Sequence, residues 1–156
     1  MNSLQFHHAT ATDLDVTSLY QILQLRSEIF NGEQGLSHPD LDGRDLEPTT
    51  TLIFGRDTSQ PEQPIVAAAR ILVDDHQVAI GRVAVAKQQR GTGAGRALMA
   101  YALDFCTTHY PTEQVYVGAQ AQLEQWYTSM GLQRAGDNYL DAGIPHVPLV
   151  RTPQQD

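Results

Sequence analysis

The sequence predicts a mixed α/β fold in which a mostly antiparallel central sheet is flanked by helices. Three observations predict it. Apolar stretches Thr51 to Phe54, Pro64 to Val73 and Val78 to Ala86 follow one another with only short polar turns between them, the spacing of an antiparallel meander. Before them, Leu19, Ile22, Leu23, Leu25, Ile29 and Phe30 recur at roughly helical spacing, giving a helix from about Leu14 to Phe30. After them, Leu98, Met99, Ala102, Leu103, Phe105 and Cys106 form a second helical face that ends near His109-Tyr110-Pro111.

The remaining elements follow in order. Leu4 to His8 alternates weakly, as a first strand would. Thr12 with Asp15 has the spacing of a capping box for the first helix. Asn31 to Thr50 is polar and carries Gly32, Gly35, Pro39, Gly43 and Pro48, so it reads as a long loop with room for one helical turn; loops of that length in small domains are often functional. Asp57 to Glu62 and Asp74 to His76 read as turns between strands. Val115 to Gly118 is a further strand, and Leu123, Trp126, Tyr127 and Met130 mark a short helix that Gly131 stops. Leu132 to Ala135 and Val147 to Val150 read as late strands.

A chain of 156 residues that is 41% apolar is expected to form one domain, residues 1–156, held by its own core. No apolar run approaches a membrane span, and no signal peptide is expected at the N-terminus. Cys106 is the one cysteine, which excludes an internal disulfide and suits a cytoplasmic setting. The formal charge of −8 opposes nucleic-acid binding. It suits a cationic substrate, although solubility alone accounts for such a surface. The histidines lack metal-ligand spacing, so no metal site is expected. The sequence leaves a homodimer open.

The most informative stretch is Arg90-Gly91-Thr92-Gly93-Ala94-Gly95-Arg96, set between a strand and a helix. Amides at a helix start lack partners, glycine lets a ligand approach the backbone closely, and the helix dipole favours an anion. These features point to a phosphate or pyrophosphate site. A Walker loop would need Gly-Lys followed by Ser or Thr, whereas Gly95 is followed by Arg96-Ala97. A dinucleotide fingerprint would need a glycine where Arg96 or Leu98 stands. Arg90, Gly93 and Gly95 fit the third pattern, Arg or Gln, two residues, Gly, one residue, then Gly or Ala, found in acyl-coenzyme A transferases.

On these residues the chain resembles the GNAT superfamily of acyl-coenzyme A-dependent N-acetyltransferases. Val83-Ala84-Val85 resembles the family's central strand, where a break in strand pairing frees backbone groups for the cofactor's pantetheine arm. Tyr127-Thr128-Ser129-Met130-Gly131-Leu132 resembles the family's Tyr, three residues, Gly-Phe segment, with Leu132 in place of Phe. A narrower likeness is to the ElaA-like branch. It rests on Arg26 with Phe30, Glu33-Gln34, Asp42-Gly43, Asp45, Ala69-Arg70, Gly81-Arg82-Val83, Gly118 to Ala121 and Gly143 to His146. Asn31-Gly32 stand where that branch has two valines, and its cysteine after Glu-Gln is absent.

The resemblance implies acetyl-CoA as cofactor, held by Val83, Ala84, Val85, Arg90, Gly91, Thr92, Gly93, Ala94, Gly95 and Arg96. It implies an amine acceptor, either a small molecule or a peptide, attacking the thioester directly. Tyr127 is expected to donate a proton to the leaving thiolate. Glu33, in the polar loop, and His146, an imidazole suited to neutral pH, are the two candidates for the base. Asp42 and Asp45 are expected to draw a cationic substrate. Arg70 and Arg82 are expected either to order that acidic loop or to line the cleft. Gln120 lies where many relatives carry an Asn that touches the cofactor. Cys106 is expected to pack in the core. A non-catalytic acyl-CoA sensor is the alternative reading.

Overall fold

In the computed structural model, which describes residues 3–153, the chain forms one eight-stranded sheet. Strand β1 (Leu4–Ala9) pairs antiparallel with β2 (Thr51–Asp57), β2 with β3 (Ile65–Asp74), and β3 with β4 (Gln77–Val85). The meander expected from the short turns is therefore present. Helix α1 (Val16–Ser27) lies between β1 and β2 in sequence, and α2 (Ala94–His109) follows β4. A crossover through α2 lets β5 (Gln114–Gln120) run parallel to β4, since parallel neighbours need a long connection. Short α3 (Glu124–Thr128) leads to β6 (Gln133–Arg134), β7 (Tyr139–Asp141) and β8 (Ile144–Arg151). Strand β8 pairs antiparallel with β5, β6 and β7.

Strand alternation sorts the core into two layers. Ile53, Ala67, Ala69 and Ile71 pack with Leu98, Met99, Ala102 and Cys106 of α2. Leu52, Phe54, Val66 and Ala68 point the other way, onto Ile22, Leu25 and Ile29 of α1. Cys106 is fully buried and its thiol is pushed up to about 11 by that burial, in keeping with a packing role. Among the described residues no helix is long and apolar enough to cross a membrane.

Three local expectations need correction. The cap of α1 is Asp15, whose carboxylate accepts from the Ser18 N–H at 3.1 Å. Thr12 instead sits in a 3-10 turn (Ala11–Asp13) ahead of it, so the two residues do not form a capping box. The first helix is α-helical only to Ser27 and then widens into a π-turn, Glu28–Glu33. Such turns often mark functional positions. Strand β7 was not expected: its three residues are all exposed, so it lacks the alternation that reveals a strand. The long loop does contain one helical turn, Arg44–Leu46.

Candidate active site

The site begins with a fault in the sheet. Ala68 pairs with Ala84 but Arg70 pairs with Gly81, so β4 spends two residues, Arg82 and Val83, against one on β3. Arg82 absorbs this bulge at φ +51°, a conformation side-chain-bearing residues rarely adopt. On its other side, β4 pairs with β5 only from Gln77 to Ala79. Beyond Ala79 the two strands part. The Ala86 N–H donates to the Val66 carbonyl at 2.8 Å. By alternation, Ala84 also faces β3, while Val85 turns its N–H and C=O to the other edge, where Arg90 takes the carbonyl; Val83, in the bulge, has no partner on β5.

That edge runs into the glycine loop. Gly91 and Gly93 have φ of +78° and +89°, and a Cβ built on either meets nothing within 4 Å. Gly93 is the N-cap of α2 and offers no side-chain acceptor. The amides of residues 91–96 find no acceptor among the described residues. A sixteen-residue helix thus presents a fan of free N–H groups at its positive end, facing open space. This is what a pyrophosphate requires, so the residues present fit the diphosphate of a coenzyme A. The close approach behind the loop is equally specific. A Cβ on Gly95 would sit 3.3 Å from the Trp126 ring, so glycine lets α3 pack against the first turn of α2.

The arginines of the loop hold protein groups. The Arg90 guanidinium grips both carboxylate oxygens of Glu33, and its Nε donates to the Val85 carbonyl at 3.1 Å. Arg90 holds the Glu33 carboxyl below the usual carboxylate range. Arg96 donates to Ser129 Oγ at 2.9 Å, and Thr92 Oγ1 donates to the Gln89 carbonyl at 2.5 Å. Gln89 in turn donates to Asp57, a buried carboxylate that also binds Ser3, Ser59 and Gln60. The loop is thereby tied to the end of β2.

Beside the open edge lies a cavity of about 440 Å³. Its walls come from the π-turn and the residue after it (Phe30, Gln34), from β4 (Arg82, Val83), from β5 (Tyr116 to Gln120), and from Tyr127, Tyr139, Asp141 and His146. Tyr127 is 6% exposed and burial pushes its phenol up to about 12. Its hydroxyl bonds no described residue. His146 Nδ1 lies 2.8 Å from the Ile144 carbonyl. A carbonyl only accepts, so Nδ1 carries a proton, and in the tautomer this fixes, Nε2 is the nitrogen that can accept. Gln120 donates to Gln34 at 3.0 Å and so joins two of the cavity's walls. Glu33 lies elsewhere: it lines a separate hollow of about 400 Å³ between α1 and the turn after β4. The structure therefore brings Tyr127 and His146 to one cavity and sets Glu33 apart, on Arg90.

Asp42 and Asp45, expected to draw a cation, are already committed to arginines. Three arginines and three aspartates form a closed, alternating ring. Arg26 binds Asp40 (3.0 Å) and Asp45 (2.5 Å). Arg70 binds Asp45 (3.3 Å) and Asp42 (2.7 Å). Arg82 binds Asp42 (3.4 Å) and Asp40 (2.8 Å). Arg26, Asp40, Asp45 and Arg70 are buried. Of the two roles open to Arg70 and Arg82, ordering the loop is the one these contacts serve, and both also touch the cavity. Arg26 and Asp40 were not singled out for this role. Their partners lie 14 to 42 positions away, so no local pattern signals them. Tyr116 and Tyr139, joined through their hydroxyls at 3.1 Å, were missed for the same reason.

The fold and the open-edged site together define an acyl-coenzyme A transferase class, and sequence comparison agrees. Residues 54–152 match the model of the acetyltransferase (GNAT) domain. The chain belongs to the GNAT acetyltransferase family. It is 40% identical over 148 residues to protein ElaA of Escherichia coli strain K12, covering 93% of this chain and 92% of that protein. The crystal structure of E. coli ElaA superposes with a TM-score of 0.86 at 37% identity, covering 95% of this chain and 99% of the other. An acyl-CoA N-acyltransferase from Pseudomonas aeruginosa superposes with a TM-score of 0.88 at 33% identity, covering 96% and 100%.

Proposed function

We propose that residues 1–156 form one N-acetyltransferase domain that moves an acetyl group from acetyl-CoA to a primary amine by direct attack. The observation that carries this reading is the continuity of two features. The unpaired edge at Val83 and Val85 leads straight into the free amides of residues 91–96. Bound acetyl-CoA supplies the thioester, an acyl group activated for attack by nitrogen.

The chain's own groups then divide the work. Amides 91–96 hold the diphosphate, with Gly91 and Gly93 leaving room for it. The Val83 and Val85 edge aligns the pantetheine arm and polarises the acyl carbonyl by N–H donation. The acceptor nitrogen sits in the cavity beside that edge. His146 Nε2 takes the proton the amine must lose as the N–C bond forms. The Tyr127 hydroxyl gives its proton to sulfur as the C–S bond breaks. A phenol held at about 12 stays protonated at neutral pH and so keeps a proton to give. Glu33, fixed on Arg90, serves better to brace the loop than to accept a proton, because its pKa is lowered and its oxygens are engaged.

The test is thiol release from acetyl-CoA across a panel of amines, with Tyr127→Phe in parallel. Amine-dependent release that collapses in the variant supports the reading. Tight cofactor binding with no release for any amine would favour an acyl-CoA sensor instead.

A further inference from the structure

We propose that the acceptor carries a second positive charge remote from its reacting amine, as a small aliphatic diamine does, and that Asp141 with Tyr139 receives it. This rests on the acyltransfer reading above. It begins with the charges that face the cavity. Arg70 and Arg82 line it, and so does Asp40, but all three belong to the closed ring, in which three positive and three negative charges cancel. Asp141 also lines the cavity, and its carboxylate makes no ion pair or hydrogen bond with any described residue. The β7 wall of the cavity therefore carries a negative charge with no cationic partner among the described residues.

The walls beside Asp141 suit an ammonium group. All three β7 residues are exposed, but only Tyr139 and Asp141, two positions apart and so on one face of the strand, line the cavity; Leu140 does not. Burial and the hydrogen bond to Tyr116 raise the Tyr139 phenol above the usual range, and the nearby Asp141 charge adds to this. The Tyr139 ring stacks on His146 with centroids 5.7 Å apart, and its hydroxyl meets that of Tyr116. A cation beside Asp141 would find an aromatic face and a carboxylate together, a favourable pairing. Gly118 makes this arrangement possible: a Cβ there would collide with the Tyr139 hydroxyl. His146 thus lines the cavity next to Tyr139. Its Nε2 serves the reacting amine, and its ring stacks on the aromatic wall beside the second charge.

Calorimetric titration with 1,4-diaminobutane and 1-aminobutane tests the proposal on the whole chain in the presence of coenzyme A. Longer diamines set the spacing. The diamines are expected to bind about three- to tenfold more tightly than the monoamine, the gain of one partly exposed ion pair with a cation–π contact. In Asp141→Asn that ratio should fall towards one, and Asp141→Glu should restore part of it. Lysine, which adds a carboxylate to the same amines, should gain nothing over 1,5-diaminopentane. Equal binding of monoamines and diamines, or a ratio that survives in Asp141→Asn, would overturn the proposal. Because binding is read directly, that failure is distinct from failure of acyltransfer, which would show as absent thiol release despite diamine binding.

Discussion

Arg82 Nε and Asp40 Oδ1 lie 2.8 Å apart, yet both are buried without a hydrogen bond. The pair is held by charge and by the backbone rather than by hydrogen-bond alignment. Arg82 is also the residue that carries the β4 bulge at φ +51°. One side chain thus joins the ionic ring to the fault that opens the cofactor edge. Arg82→Ala removes the charge and keeps the strained φ, whereas Arg82→Gly removes the charge and relieves the strain. Both variants should lose stability, with the alanine form lower than the glycine form by about 1 kcal/mol in chemical denaturation. Equal stabilities would mean that the bulge is unstrained.

The ring makes a stronger demand at Arg26, which is fully buried. Arg26→Ala leaves Asp40 and Asp45 buried with half their partners, and removing one member of a buried ionic network costs about 3–5 kcal/mol. Arg26→Ala is expected to lower the melting temperature sharply and to raise acceptor KM, because the loop it anchors carries cavity residues His38 and Asp40.

The ring also sets the acid limb of stability. Arg70, hydrogen-bonded to Asp42, holds its carboxyl well below the usual carboxylate range. A depressed folded pKa means that the unfolded chain takes up the proton first. The stabilisation is full above the unfolded value of about 4 and is lost as pH falls from there through the folded value. Asp42→Asn should therefore flatten the loss of stability below about pH 4, as read by denaturation at graded pH. An unchanged acid limb would remove Asp42 from the account.

Much of the site was legible in the sequence, and the rest was not, for definite reasons. The glycine loop could be read because consecutive residues form it: Arg90, Gly93 and Gly95 keep their spacing whatever the fold does around them. The meander could be read because short turns force neighbouring strands to pair. The ring could not, because Arg26, Asp40 and Arg82 meet only after α1, the long loop and β4 have packed. The same holds for Arg90 and Glu33, 57 positions apart. Glu33 reads in sequence as a candidate base in a polar loop, and only the fold brings Arg90 onto its carboxylate. Asp15 shows the local limit. Both it and Thr12 have capping chemistry, and the 3-10 turn that decides between them has no clear sequence signal.

Catalysis should separate Tyr127 from Glu33. Tyr127→Phe removes the proton donor and should cut kcat about 100-fold or more, with acetyl-CoA affinity nearly unchanged. The phenol, held at about 12, should cause no alkaline loss of wild-type kcat below about pH 11. Glu33→Gln frees Arg90 and should weaken cofactor binding more than it slows turnover. A large fall in kcat with unchanged cofactor affinity in Glu33→Gln would instead restore Glu33 as the base.

The account depends most on main-chain nitrogens at the start of α2. The direct test is an amide-resolved NMR titration of the chain with coenzyme A, alongside Gly93→Asp. The amides of residues 91–96 should move most, with Val83 and Val85 next, and Gly93→Asp should abolish the response through strain at φ +89° and through like charge. Saturable binding that leaves those amides unmoved, or that survives in Gly93→Asp, would contradict the placement of the diphosphate and the acyltransfer mechanism built on it.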